Sequence, residues 1–232
     1  MMYNVFDDIS GGNKMDENVK KITIAQLERT AEALRKNNMA AYVCNDSSEA
    51  VGIVKGLLCE GATIGSGGSM SLVDSGVMEL LKSGNYNFID RTQYSPENIS
   101  ECYAKMYTAD YYFCSSNAVT ENGELYNVDG NSNRISAICF GPKKVIMVVG
   151  CNKIVRNLDD AVKRVKSVAA PANCVRLGCN TYCKETGVCM GIDGCMTDGC
   201  KGDTICCNYL ISAKQRHKDR INVILVAEPL GY

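Results

Sequence analysis

Eight of the fourteen cysteines crowd into 34 residues near the C-terminal end: Cys174, Cys179, Cys183, Cys189, Cys195, Cys200, Cys206 and Cys207. Thiolates at this density bind soft or borderline ions, close disulfides, or pass redox equivalents among themselves. The spacing contains no C-x2-C pair of the kind a zinc knuckle uses. It is also not the C-x2-C-x2-C-x3-C run of bacterial ferredoxins. Irregular spacing counts against zinc more than against an iron–sulfur centre, and metal, disulfide and free-thiol readings all stay open. Neighbouring cysteines rarely ligate one ion together, so Cys206 and Cys207 are alternatives. The remaining cysteines (Cys44, Cys59, Cys102, Cys114, Cys139, Cys151) are scattered, mostly in apolar stretches, and read as small core residues.

Two further stretches could carry chemistry. In GATIGSGGSM (61–70), Gly65, Gly67 and Gly68 permit close backbone approach and positive φ, and Ser66, Ser69 and Ser71 add hydroxyls. Amides at the start of a following helix would seat an anion. The loop lacks the third glycine of the dinucleotide fingerprint and the Gly-Lys-Ser/Thr of a Walker loop, so a plain capped βα turn is the competing reading. In SSNAVTENGELYNVDGNSNR (115–134), Asn117, Asn127 and Asn131 could orient a substrate, while Glu121, Glu124 or Asp129 could act as general base. The same stretch reads equally well as a hairpin, because Glu-Asn-Gly-Glu and Val-Asp-Gly-Asn are turn signals. The single histidine, His217, lies in the basic run KQRHKDR and reads as solvated, as do Lys214, Arg216, Lys218 and Arg220. A histidine-dependent hydrolase is therefore disfavoured. Lys143, Lys144 and Lys153 flank the strand 144–150, where surface exposure is the favoured reading and a ligand-facing lysine the alternative.

These residues need elements to hold them. Periodicity predicts helices over 16–37, from Ser47 or Ser48 through 58, over 71–82, 96–107 and 158–169. Strands are expected at 39–44, 62–65, 87–90, 111–116, 134–140, 144–150 and 221–228. Alternating helices and apolar strands imply an α/β fold with a mostly parallel sheet flanked by helices. The cysteines then form an excursion (171–210) from one α/β domain (16–232), with a single strand after them, and residues 1–15 form an N-terminal arm. The chain has 232 residues, enough for a full core. Its 25 basic and 26 acidic residues give no electrostatic footprint for nucleic acid or an anionic membrane. The acidic N-terminus has no signal-peptide core, and no apolar run is long enough for membrane insertion. A cytoplasmic, reducing setting follows as the expectation.

The blocks ATIGSGGSMSLVDSGVMELLKSGNYNFIDR, ADYYFCSSNAVTENGELYNVDGNSNRISAICFGPKKVIMVVGCNKIV and RINVILVAEPLGY, with the cysteine segment between them, resemble the LUD domain family. This is the lactate-utilization group of LutC- and YkgG-like proteins, and the likeness spans about residues 17–232. The resemblance implies a NagB/RpiA/CoA-transferase-like fold. It implies a ligand site shared by Gly65–Ser69 and Ser116–Asn131, and a role in oxidising L-lactate beside iron–sulfur protein partners. Family members carry a pattern near C-x5-C-x2-C-x6-C-N, which implies Cys183, Cys189, Cys200 and Cys207 as a metal set for an iron–sulfur cluster or zinc. The extra Gly191–Gly199 segment, with Cys195, departs from that pattern. The expected ligand is a small organic acid or phosphorylated metabolite, and a homo-oligomer is compatible with the reading. The rival functions are a non-catalytic accessory or sensor subunit with a structural metal, and a stand-alone isomerase or CoA-transferase with a glutamate nucleophile.

Overall fold

The computed structural model describes residues 15–232, so the expected arm lies, except for Met15, outside the described residues. Helix α1 (Glu17–Lys36) starts where the carboxylate of Asp16 accepts the amides of Asn18 and Val19. Leu27, Thr30, Ala31 and Leu34 pack inward, whereas Val19 and Ile22 are exposed. Strand β1 (Ala40–Cys44) leads to α2 (Ser47–Leu57), whose cap is Asp46 and not a serine. Strand β2 (Thr63–Ser66) is followed by two short helices, α3 (Met70–Asp74) and α4 (Val77–Leu81). The single helix expected over 71–82 is broken at Gly76, whose φ of +72° is left-handed and open to glycine. Strand β3 (Asn87–Phe88), helix α5 (Ile99–Tyr107) and strand β4 (Tyr111–Cys114) come next.

Six strands form a wholly parallel sheet in the order β1-β10-β7-β4-β2-β3, where β7 is Lys144–Gly150 and β10 is Ile221–Val226. Both faces are covered, as continuous apolar strands require. One face packs on α1, α5 and α6 (Asn133–Cys139), the other on α2, α3 and α4. The chain therefore has the expected α/β fold with a mostly parallel sheet.

RISAICF, expected as a strand, is helix α6. Its short apolar run is overridden at both ends. Asp129 accepts the amides of Arg134 and Ile135, and Arg220 donates to the terminal carbonyls of Ala137 and Ile138. Arg220 is thus half-buried and structural, while His217 is exposed as expected.

A second sheet, β8-β5-β6-β9, was not foreseen. It comprises β5 (Ala118–Thr120), β6 (Leu125–Asp129), β8 (Ile154–Val155) and β9 (Asn208–Ser212). The hairpin alternative for the polar stretch is therefore realised at its centre, with β5 and β6 antiparallel about Glu121–Glu124. The cysteine excursion is followed by two strands, because β9 pairs with β6 before the chain reaches β10.

Helix α7 (Leu158–Arg164), capped by Asn157, does not stop at Ala169. It passes through a π-helical turn (Val165–Ala169) into α8 (Ala170–Leu177). Pro171 suggests a stop in the sequence. Its ring and missing amide disturb the turn before it, and widening that turn lets the helix continue. Helix α9 (Tyr182–Thr186) follows, and from Gly187 to Cys207 there is no further helix or strand. No helix among the described residues is long and apolar enough to cross a membrane.

Candidate functional site: a cationic cleft beside a thiol-lined cavity

Strands β2, β4 and β7 are parallel neighbours whose carboxyl ends open on one cleft, the place where such sheets bind ligands. Gly67 and Gly68 come from the end of β2. Ser115, Ser116 and Asn117 follow β4, and Lys153 follows β7. Asp129 to Arg134 descend from β6, and Asn173 and Arg176 stand on α8. A larger outer compartment adjoins a smaller inner one, and the two share Gly68, Asn117, Arg134 and Arg176.

Four cations line these compartments (Arg91, Arg134, Arg176 and Lys153) against one carboxylate, Asp129. That carboxylate is engaged. Its oxygens accept the amides of Asn131, Ser132, Arg134 and Ile135, with the Arg134 Nε at 3.8 Å. Arg134 in turn donates to the side-chain oxygens of Asn127 (2.5 Å) and Asn117 (3.0 Å) and to the Val128 carbonyl (2.6 Å). The loop is held in shape by its own charges, and the surplus in the cleft is positive.

Lys153 is buried at the cleft, the less favoured of the two places the sequence left for it. It is 3 % exposed, and its Nζ lies 2.8 Å from Ser71 Oγ and 3.2 Å from Ser115 Oγ. Burial, with Arg164 and Arg134 nearby, lowers its pKa from 10.5 to about 7. Arg164 is itself lowered to about 10 by burial while donating to the carbonyls of Asn117 and Asn152. Beside Lys153, Ser69 Oγ and Tyr232 OH line the inner compartment, both buried and without a hydrogen-bond partner. Tyr232 arrives because the chain after β10 crosses the end of β7 at Gly150, where any Cβ would run into the backbone of Glu228 and Leu230. The available signal for Lys153 was its place just after the carboxyl end of an apolar strand. Its basic neighbours Lys143 and Lys144, both exposed, masked it.

The two loops singled out in the sequence do meet. Gly67, Gly68, Asn117, Asp129 and Asn131 share the outer compartment, and Ser69 lines the inner one. Gly65 packs instead under α5, where a Cβ would press on Met106. None of Gly65, Gly67 or Gly68 has positive φ, so close approach and not unusual backbone explains them. Helix α3 has only five residues, too short to supply the helix-terminus anion seat anticipated at 68–70. Asn127 is fully buried beneath Arg134, with its Nδ2 unpartnered.

Glu121 and Glu124 lie elsewhere. Glu121 accepts from Gln26 (2.9 Å) and faces Arg29 (3.5 Å) on α1, and Glu124 accepts from Thr120 Oγ1 (2.8 Å). They hold the hairpin tip to α1 and are not among the cleft-lining residues. No glutamate lines the cleft among the described residues, so the CoA-transferase reading has no nucleophile there.

Behind the wall formed by Thr204, Ile205 and Cys206 lies a second, small cavity. Five thiols line it: Cys174, Cys183, Cys189, Cys200 and Cys206. Cys174 and Cys183 stand 3.6 Å apart, and none of the fourteen cysteines forms a disulfide. Burial pushes the Cys206 thiol up to about 12, with Cys174, Cys189, Cys183 and Cys200 adding to it. Cys207, expected among the ligands, is exposed. Its thiol contacts the Thr204 carbonyl and lines the cleft but not this cavity. Among the described residues no three histidine, cysteine or acidic side chains converge tightly enough to share one ion. The thiols surround a space and do not point at a common atom.

No curated protein matches the chain. Among solved structures, a DUF162 family protein from Deinococcus radiodurans is similar, at 15% identity and a TM-score of 0.50, over 88% of this chain and 98% of that one. At that identity the likeness concerns the fold, and it agrees with the helix-covered parallel sheet. The LUD domain family model matches residues 27–226, which include both sheets, the thiol segment and all of the cleft but Tyr232, and the chain therefore belongs to the LUD domain family.

Proposed function

We propose that this chain binds a small anionic metabolite, a 2-hydroxy or 2-oxo acid of the lactate type or a phosphorylated relative, in the cleft at the ends of β2, β4 and β7. Membership of the LUD family supports a lactate-utilization-related role at the level of the family. The observation that carries the reading is electrostatic. Four cations face one carboxylate whose oxygens are already occupied, and two buried hydroxyls beside Lys153 lack partners. Buried hydroxyls rarely stay unpaired without a reason, and a carboxylate or phosphate oxygen would satisfy both.

In this reading Arg176 and Arg91 hold the anionic end, Ser69 and Tyr232 donate to it, and Asn117 orients a neighbouring hydroxyl or carbonyl. Lys153 changes protonation near neutrality, so its amine can take a proton from a substrate hydroxyl or return one. Asp129 serves as the brace of the loop, and Glu121 and Glu124 as anchors of the hairpin. Calorimetric titration of the full chain with lactate, pyruvate, inorganic phosphate and sugar phosphates tests this. At least one anion should bind, and Arg176→Gln should weaken it roughly tenfold or more, the loss of one charge-assisted hydrogen bond. Absence of binding by all four classes, or identical affinities for the variant, would refute the proposal.

A further inference from the structure

We propose that Lys153 is a nucleophile that forms an imine with the carbonyl of a 2-oxo acid bound in the inner compartment. The inference rests on the anion-binding reading of the cleft and narrows it to one substrate class. Lys153 lines that compartment together with Ser69, Asn117, Arg176 and Tyr232. In a 2-oxo acid the carbonyl is one bond from the carboxylate. An anion held by Arg176, Ser69 and Tyr232 therefore brings its carbonyl carbon into the space that the amine lines. With a 2-hydroxy acid the same amine can only exchange protons.

Two observations mark the amine as a nucleophile and not a structural cation. The first is its hydrogen bonding. Nζ donates to the hydroxyls of Ser71 (2.8 Å) and Ser115 (3.2 Å), and Ser71 Oγ in turn donates to the Leu230 carbonyl (3.0 Å). No carboxylate pairs with Lys153 among the described residues. Two acceptors match the two N–H bonds of a neutral amine and leave its lone pair free, whereas an ammonium would keep a third N–H unmatched. The second is its surroundings. Burial opposes the ammonium most, and Arg164 on α7 and Arg134 on α6 add to it. Asp74 on α3 and Cys114 on β4 offset only part of this, so the pKa falls to about 7. A desolvated lysine beside other cations is how proteins make an amine nucleophilic near neutrality.

The step balances without an oxidant or reductant. The lone pair of Nζ attacks the carbonyl carbon, a C–N bond forms, and the carbonyl π pair moves to oxygen. One proton passes from nitrogen to that oxygen and gives a carbinolamine. A second proton, taken from solvent, lets the oxygen leave as water while the nitrogen lone pair closes the C=N bond. One amine, one 2-oxo acid and one proton thus become one iminium and one water.

The test is reductive trapping. The full chain is incubated with pyruvate and cyanoborohydride at neutral pH, and intact mass and peptide maps are recorded. The expected product gains the mass of one pyruvic acid less one oxygen atom, on Lys153. Folding leaves Lys153 near a pKa of about 7 and raises that of exposed Lys143 above 10.5, so their neutral fractions at pH 7 differ by roughly three orders of magnitude. Lys153 should therefore be modified in at least roughly tenfold excess over Lys143. Lactate in place of pyruvate should add nothing, and added beside pyruvate it should slow the trapping. Lys153→Arg should abolish the adduct, and the map of the natural chain gives the same information if that variant fails to fold. Labelling spread over exposed lysines with no excess at Lys153 would overturn the assignment. If calorimetry shows an anion bound while pyruvate leaves Lys153 unmodified, the imine is refuted and the cleft reading stands. If no anion binds at all, the cleft reading fails and the imine falls with it.

Discussion

Replacing Lys153 by methionine removes a buried amine that the fold holds far from its preferred protonation state. Its pKa falls from 10.5 to about 7 on folding. Between those values the unfolded chain binds a proton that the folded chain does not, so stability rises with pH across that window. Below about pH 7 the folded state carries the full penalty, about 5 kcal/mol at roughly 1.4 kcal/mol per pH unit. From about pH 6 to about pH 9, roughly 3 kcal/mol of this penalty should be relieved. Methionine keeps the chain length and has no titration. It also leaves Ser71 and Ser115 without the contact that Nζ makes, a loss that does not vary with pH. Urea unfolding of the natural chain and Lys153→Met across this range isolates the effect. The stability advantage of methionine over lysine should shrink by roughly 3 kcal/mol as the pH rises, with unchanged m-values. A saturating anion should flatten the natural chain's curve, because it restores the proton on Lys153. Parallel pH curves for the two proteins would show that the lysine is not held as the structure implies.

Gly123→Ala should lower stability by about 2 kcal/mol or more, read as a drop in thermal midpoint, because φ there is +79° and a Cβ would meet the backbone of Ala33 in α1. Asp129→Asn should cost about 2 kcal/mol and weaken anion binding, since the carboxylate braces four amides and faces Arg134. Glu121→Gln and Glu124→Gln should leave anion affinity in titration calorimetry unchanged and cost under about 1 kcal/mol each in urea unfolding, as half-exposed surface pairs do.

The parallel sheet was legible because β7 and β10 are continuous apolar runs that only a doubly covered sheet accepts. The meeting of the 67–68 and 117–131 loops was what the family resemblance implied, and the shared polarity of β2 and β4 accounts for it. Three things were not legible. The apolar run Ala137–Phe140 after Ile135 reads as a strand, and what makes it helical is capping by Asp129 and by Arg220, the latter some eighty residues away in sequence. The short strands β5, β8 and β9 carry too few residues for a periodicity and exist through their pairing. Lys153 looks like its exposed neighbours until the crossing at Gly150 and the helix carrying Arg164 enclose it. Likewise Cys206 and Cys207 are equivalent in sequence, and only the wall between the two chambers tells them apart.

The widened turn at Val165–Ala169 does more than pass a proline. In an unbroken α-helix, at about 100° per residue, Lys166 and Asn173 would share a face and Cys174 would stand about 80° away. The extra residue in the turn shifts the phase. Lys166 and Cys174 now both look into the sulfur chamber, while Asn173 and Arg176 look into the anion chamber. One helix is thereby sorted into two address lines, one for each compartment. Removing a single residue such as exposed Val168 would rotate Arg176 and Cys174 together, so that neither chamber keeps its own side chains.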